Sequence, residues 1–472
     1  MSCRSFPTHW QLLPLADALD ALIDYRGKTP KKTDTGIPLI TAKIVKNGKI
    51  LPVSEFIAEE DYDEWMVRGL PQVGDVVVTT EAPLGEVAQL EDCNVALAQR
   101  IVTLRGAKEI LESDYLRYVM QGPYVQGQLE ARASGSTVKG IKQSELRKIL
   151  LPIPPKQEQT KIAKILKSID NKIRINEQAS QTLEQIAQAI FKSWFVDFAP
   201  VKAKINALEA GGSDEDALLA AMQAISGKDK AQLTRLQTDS PEHYNQLRTT
   251  AELFPSAMQD SELGDIPEGW DINCIKDVAE VVKGKSYKSA ELAPSNTALV
   301  TLKSFNRGGG YRLDGLKPYT GKYKPQQEVQ VGDLIIAYTD VTQAADVIGK
   351  PAMVVGDDNY SSLVVSLDVA VVRPKLQPLK PFLYGLTRSK SFQSKMQSHT
   401  TGTTVLHLAK NAVPEFEFAL PSQDLIAIYE SQVKPIFNLV NENIQENRNL
   451  ERIRDTLLPK LLSGEIDIDE NG

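Results

Sequence analysis

"ILLPIPPKQEQTKIAKILKSIDNKI", Ile149 to Ile173, stops an alternating apolar run at a proline pair and opens a long amphipathic helix. Nearly the same transition returns as "FEFALPSQDLIAIYESQVKPIFNLV", Phe416 to Val440. Proline interrupts a sheet ladder but is tolerated in the first turn of a helix, so each stretch reads as a strand feeding a helix. Two such transitions in one chain direct the search to an internal repeat.

The repeat spans both halves. "WQLLPLADALDALIDYRGK" starts at Trp10 and "WDINCIKDVAEVVKGK" at Trp270, an offset of 260 (270 − 10). "PLITAKIVKNGK" from Pro38 matches "ALVTLKSFNRGG" from Ala298 at that same offset. "VGDVVVTTE" at Val73 matches "VGDLIIAYTD" at Val331, and "SGSTVKGI" matches "TGTTVLHL" around Gly135 and Gly402. Matches in the same order at a slowly drifting offset indicate duplication. In the first half "DVVVTT", "VALAQRIVTL" and "KILLPIP" read as strands; "DLIIAYT", "LVVSLDVAVV" and "EFEFAL" are their counterparts. A single helix is expected at "SDYLRYVMQGPYVQGQLEARA", with "KPFLYGLTRSKSFQSKMQS" as its partner.

The long helices carry heptad seams. Ile162, Ile169, Asn176 and Leu183 recur every seven residues, with Leu166 and Ile173 in the second seam position. In the later helix Ile436, Asn443 and Leu450 continue one series, and Val433 and Val440 the other. Such a seam asks for a helical partner. Each has a polar layer at its midpoint, Asn176 with Ser180 and Asn443 with Asn447, which antiparallel pairing would bring together. A cysteine pair at 176 and 443 is the expected crosslink.

The predicted fold class is therefore α+β: two similar globular α/β domains separated by a pair of long antiparallel, coiled-coil-like helices, with a pseudo-twofold internal repeat. The expected boundaries are residues 1–154 and 264–421 for the globules, and 155–198 and 422–464 for the helices. Residues 199–263 read as a connecting segment with one or two short helices, and 465–472 as an acidic tail.

At 472 residues the chain exceeds one ordinary core, and 42% apolar with 24% charged residues is the composition of a globular protein. No apolar run reaches the length of a membrane span, and "MSCRSFPTHWQLLP" lacks the apolar core of a signal peptide. Cys3, Cys93 and Cys274 are scattered and the four histidines do not join them, which fits a cytoplasmic protein without a structural metal.

Catalytic signatures are missing. "GSTVKGIK" has glycines near phosphate-loop spacing, but Ile141 stands where the lysine belongs. No glycine-rich loop follows a strand as a nucleotide or S-adenosylmethionine site requires, and the proline-proline-aromatic motif of amino methylation is absent. Asp75 and Glu81 lack the lysine a nuclease would place near them and read as turn and surface residues.

Binding signatures are richer. Lys and Arg alternate with Gly, Thr, Asn and Tyr in loops of both halves, although the net charge is −7. The first half offers Arg26, Lys28, Lys31, Lys32, Lys43, Lys46, Asn47, Lys49, Ser136, Thr137 and Lys139. The second offers Lys283, Lys285, Lys288, Lys303, Asn306, Arg307, Arg312, Lys322, Lys324, Thr403 and Thr404. Cations neutralise phosphates, glycine permits close approach, and Asn or Arg can pair with base edges, so these residues are candidates for contact with double-stranded DNA.

"LPIPPKQEQTKIAKILKSIDNKI", "QAIFKSWFVDF", "DSELGDIPEGW", the pair "GSTVKGI" and "GTTVLHL", and the ending "LLPKLLSGEI" resemble the DNA specificity subunit of type I restriction–modification systems. The second copy departs from the pattern, since "LPSQDLIAIYE" lacks the second proline and the Glu-Gln pair. The resemblance implies two target recognition domains, each reading half of a split, non-palindromic site, and helices that set the unread spacer and dock partner subunits. It implies a chain with no catalysis and no cofactor of its own. Adenine-N6 methylation with S-adenosylmethionine would belong to modification subunits, two per chain, and ATP- and Mg-dependent translocation and cleavage to restriction subunits. The rival expectation is a structural adaptor carrying two protein-binding globules.

Overall fold

The computed structural model describes residues 6–341, 345–403 and 405–466. Thr404 and the acidic residues beyond 466 therefore lie outside the described residues. The chain divides into two compact units: Met1–Glu177 with Ile444–Gly472, and Gln178–Asn443.

Unit 1 is built on an antiparallel four-stranded sheet, in spatial order Leu19–Asp24, Ile101–Gly106, Val76–Thr80 and Leu84–Gln89. Both faces are covered, which fits the unbroken β-branched run "VVVTT", buried at every position. Val76, Val78, Val102 and Leu104 point to one core with Tyr115, Leu116, Val119 and Leu129. Val77, Ala88 and Ile101 point to another, closed by a small sheet in which Ile37–Ile40 runs parallel to Ala96–Leu97. Alternate side chains of one strand thus serve two cores, as a period of two requires.

Unit 2 repeats this plan. Its sheet order is Ala279–Lys283, Val369–Pro374, Leu334–Ala337 and Pro351–Met353. Leu334, Ile336, Ala370 and Val372 face one core; Ile335, Ala337, Val369 and Val371 face the other. Thr297–Val300 runs parallel to Ser362–Val365, matching the parallel pair of unit 1. Short antiparallel pairs, Gln11–Pro14 with Leu150–Ile153 and Asp271–Cys274 with Glu417–Leu420, close the units alike.

Several sequence expectations need correction. The helix expected at 113–133 is two, Ser113–Gln121 and Pro123–Arg132, because Gly122 is extended and Pro123 starts a new first turn. Its counterpart breaks at Ser389, whose hydroxyl caps the second piece by accepting from the Phe392 N–H. The strands "VALAQRIVTL" and "LVVSLDVAVV" each split between two sheets. The connecting segment holds four helices rather than one or two: Ala199–Glu209, Asp214–Ser226, Lys230–Asp239 and Pro241–Glu252. Ser213 and Asp229 begin the second and third with reciprocal capping boxes, and Leu218, Met222, Leu233 and Ala251 form a small core. Asp75 is buried, not exposed, with both carboxylate oxygens accepting from Arg105 at 2.8 and 2.7 Å.

The long helices are Lys156–Phe195, 40 residues, and Gln423–Leu461, 39 residues. In unit 1 Asp170 meets Arg454, while Asn176 donates to Glu446 at 2.7 Å and to Asn447 at 2.9 Å, so numbering falls on one helix as it rises on the other. In unit 2 Asn443 donates to Ser180 at 3.2 Å. The polar layers therefore pair crosswise, Asn with Asn and Asn with Ser, and the crosslink expected at 176 and 443 moves to 176 and 447. Ile162, Leu166, Ile173, Asn176, Val433 and Val440 are buried; Ile169, Leu183, Ile436, Asn443 and Leu450 are half-buried. "IFKSWF" ends the first helix in the aromatic core of unit 2, where Trp194 and Phe195 pack on Tyr429. At the matching end of the second helix, Leu457, Leu461 and Leu462 pack in the core of unit 1 with Ile162 and Leu166.

Candidate nucleic-acid interface

In each unit the central sheet ends in a corner where three chain segments meet. In unit 1 the Thr80 N–H donates to Arg100 O at 2.9 Å, and the Ile141 N–H donates to Thr80 O at 3.0 Å. Glu81 bridges to Gly140, which also pairs with Ser134 across the "SGSTVKG" hairpin. In unit 2 the Tyr338 N–H donates to Asp368 O at 2.7 Å, and the Leu408 N–H donates to Tyr338 O at 2.9 Å. Thr339 pairs with His407, across from Thr401. These contacts match Thr80 with Tyr338, Glu81 with Thr339 and Arg100 with Asp368.

The two hairpins turn in the same way. Gly135 and Gly402 have φ of +107° and +112°, and a Cβ at either would sit 2.1 Å from the carbonyl oxygen of Val138 or Val405. Only glycine fits there. Ser136, Thr137 and Lys139 stand exposed on the first hairpin, with Lys139 reaching Glu130, and Thr403 is exposed on the second.

The structure sorts the sequence-selected residues into groups. Arg26 joins the unit 1 corner, but its guanidinium is committed: Nε donates to Asp24 at 2.7 Å and Nη1 to the Ile141 carbonyl at 2.7 Å. Lys28 and Lys31 line an open cleft of about 240 Å³ with Trp65, Asp61 and Glu64. Lys32 and Lys43 share Glu55 at 2.9 and 3.5 Å, and the Lys32 hydrogen bond holds that carboxyl below its ordinary value of 4.5. Lys46, Asn47 and Lys49 belong to a tight hairpin between Val45–Lys46 and Lys49–Ile50. Asn47 at φ 50° and Gly48 at φ 79° supply the left-handed pair such a turn demands, so the asparagine has a conformational reason to be there. Lys49 binds Glu177 at 2.7 Å.

In unit 2, Lys283 lies 4.4 Å above the ring of Tyr338. Burial, and secondarily the charge of Lys410, lowers its pKa. Lys285 continues from that strand end, its N–H donating to Val365 O, and Lys288 is exposed beside Glu291. Lys303, Asn306, Arg307 and Arg312 occupy the loop after Thr297–Val300, where the Lys43–Lys49 hairpin sits in unit 1. Arg312 pairs with Asp314, whereas Arg307 is 81% exposed with Asp346 at 3.8 Å. Lys322 and Lys324 are exposed beside a layer formed by Tyr287, Tyr319 and Tyr323.

Sequence reading missed the corner itself. Arg100 interrupts "ALAQRIV" with φ of 73°, a left-handed conformation that costs a non-glycine residue about 1 kcal/mol or more. Its Nε is 3.9 Å from Glu81, and the two side chains are 55% and 45% exposed, so the ion pair is weak. In unit 2 the Thr339 hydroxyl donates to Asp368 at 2.8 Å. The available signal was the one charged residue inside each double strand, Arg100 and Asp368. Among the described residues no cluster of His, Cys, Asp or Glu could hold a metal ion, and no helix is long and apolar enough to cross a membrane.

The family profile for the type I restriction modification DNA specificity domain matches residues 7–185 and again 267–447. The chain belongs to this family. The specificity subunit of the type I restriction enzyme HindI from Haemophilus influenzae is 32% identical over 346 residues, covering 71% of this chain and 73% of that protein. The MjaIX specificity subunit from Methanocaldococcus jannaschii is 24% identical over 450 residues, covering 92% and 88%. A crystal structure of a type I system S subunit from M. genitalium aligns over 98% of this chain and 97% of its own, with a TM-score of 0.48 and 15% identity. Each of the two matches to this family begins and ends within residues that carry the repeated fold.

Proposed function

We propose that this chain is the sequence-specific DNA-binding subunit of a type I restriction–modification system, and that each unit reads one half of a split, non-palindromic site. Two matches to a DNA specificity domain support the recognition role. The observation that carries the split reading is a shared corner with different side chains: Glu81 and Arg100 in one unit, Thr339 and Asp368 in the other. Identical frames bearing different donors and acceptors would prefer different base pairs. The chain supplies no catalysis in this reading. It directs adenine-N6 methyltransferase subunits and restriction subunits in the cytoplasm, and S-adenosylmethionine, ATP and Mg act on those partners.

The acidic balance of −7 fits a subunit that needs partners to close around the duplex. The purified chain should bind DNA weakly; with modification subunits the affinity should rise and fall steeply with salt, as phosphate contacts dictate. Fluorescence anisotropy at several salt concentrations measures this. Tight specific binding by the chain alone would contradict the partner requirement, and absence of any DNA binding by the complex would favour the adaptor reading.

A further inference from the structure

The matched corners differ in a way that names individual readers. We infer that Arg100 in unit 1 and Asp368 in unit 2 are specificity-determining residues, standing at one position of a common frame with opposite charge. This inference rests on the DNA-reading function proposed above.

The frame equivalence is set by backbone hydrogen bonds, not by sequence similarity. The carbonyls of Arg100 and Asp368 accept from the N–H groups of Thr80 and Tyr338, and the next chain segment returns to the Thr80 and Tyr338 carbonyls through Ile141 and Leu408. Between matched strands, Asp24 is paired with Val102 as Lys283 is with Ala370, so the neighbouring strand end is inverted in charge as well. The inversions have separate consequences. Asp24 is consumed by Arg26, which leaves Arg100, among the described residues of that corner, with only the weak, half-exposed contact to Glu81 at 3.9 Å. Lys283 lies on the Tyr338 ring, and Asp368 is oriented by the Thr339 hydroxyl.

These side chains suit different base edges. A guanidinium offers parallel donors that match guanine O6 and N7, whereas a carboxylate accepts from the cytosine N4 amino group. Glu81 and Thr339 act as positioning residues: Glu81 stands 3.9 Å from the guanidinium, and Thr339 holds the carboxylate through one hydrogen bond. Arg100 also keeps a left-handed backbone that glycine would adopt without strain, so a large side chain is retained where the fold alone favours none.

The test uses the chain assembled with its modification subunits, selecting duplexes from a random pool and sequencing those retained. Arg100→Gly removes the side chain while relieving the backbone, which preserves folding; Arg100→Lys keeps the charge but not the parallel donors. Both should weaken a guanine preference roughly tenfold or more at one base pair of one half-site, leaving the other half unchanged. Asp368→Ala should relax a cytosine preference in the other half only. Unchanged profiles, or a loss of affinity spread evenly over all positions as a phosphate contact would give, would overturn the assignment. If the natural complex selects no sequence at all, the DNA-reading function itself has failed.

Discussion

Gln159 in unit 1 and Ile426 in unit 2 are each the fourth residue of a long helix, and they solve the same junction differently. The Gln159 amide donates to the Ile110 and Pro154 carbonyls and accepts from the Glu112 N–H, all at 2.8 Å, with the side chain fully buried. Ile426 can make none of these bonds. Around it lies an open, largely apolar groove of about 540 Å³ bounded by Val278, Leu376, Leu379, Leu420 and Ala427. The missing Glu-Gln pair of the second copy thus has a local meaning: one junction is stitched by polar bonds and the other rests on apolar packing. Duplication has kept the chain path while the chemistry along it changed.

That contrast can be tested by substitutions at matched positions. The largest effect belongs to the ends of the helices, where Trp194 and Leu461 hold the same place, each the thirty-ninth residue of its helix. Trp194→Ala should destabilise by about 4 kcal/mol and Leu461→Ala by about 3 kcal/mol, read by thermal or denaturant unfolding. Losses below about 1 kcal/mol would show that these ends do not anchor the cores. Gln159→Ile, which imports the unit 2 residue, leaves two carbonyls and one N–H without their partner and should cost about 3 kcal/mol. Ile426→Val, a change of one methyl in the apolar junction, should cost about 1 kcal/mol. Equal effects of these last two would erase the distinction drawn between the junctions.

Smaller effects probe the polar layer and the surface. Asn176 first, and Lys172 second, hold the Glu446 carboxyl below its ordinary value of 4.5. A depressed carboxyl stabilises the fold above its unfolded value and loses that contribution as pH falls through the folded one. The stability gap between the native chain and Asn176→Ala should therefore be full above about pH 4.5 and narrow as the pH falls below it. A difference that persists unchanged at low pH would place the effect elsewhere. Lys49→Ala breaks an exposed pair with Glu177 and should change stability by less than about 0.5 kcal/mol.

Much of this arrangement was legible in the residues. The heptad seams announced paired helices because a seven-residue apolar period needs a helical partner, and the ordered matches announced two copies of one fold. What escaped was set by contacts distant in sequence. The crosswise pairing of Asn176 with Asn447 depends on how one heptad position meets another across the seam. The burial of Asp75 depends on Arg105, thirty positions along on Ile101–Gly106, the strand paired with Val76–Thr80 in the sheet. Basic loops were visible by composition, but whether a cation is spent on a carboxylate is a matter of neighbours: Arg26 and Lys49 are spent, and Arg307 is largely exposed. Arg100 was hidden because a double strand reads as one element until its left-handed break is seen.

The central claim is that the two units read different half-sites. Duplex selection from a random pool by the complex of this chain with its modification subunits tests it most directly. The account predicts two unlike specified blocks separated by unspecified base pairs; a single continuous block, or a palindrome, would contradict it.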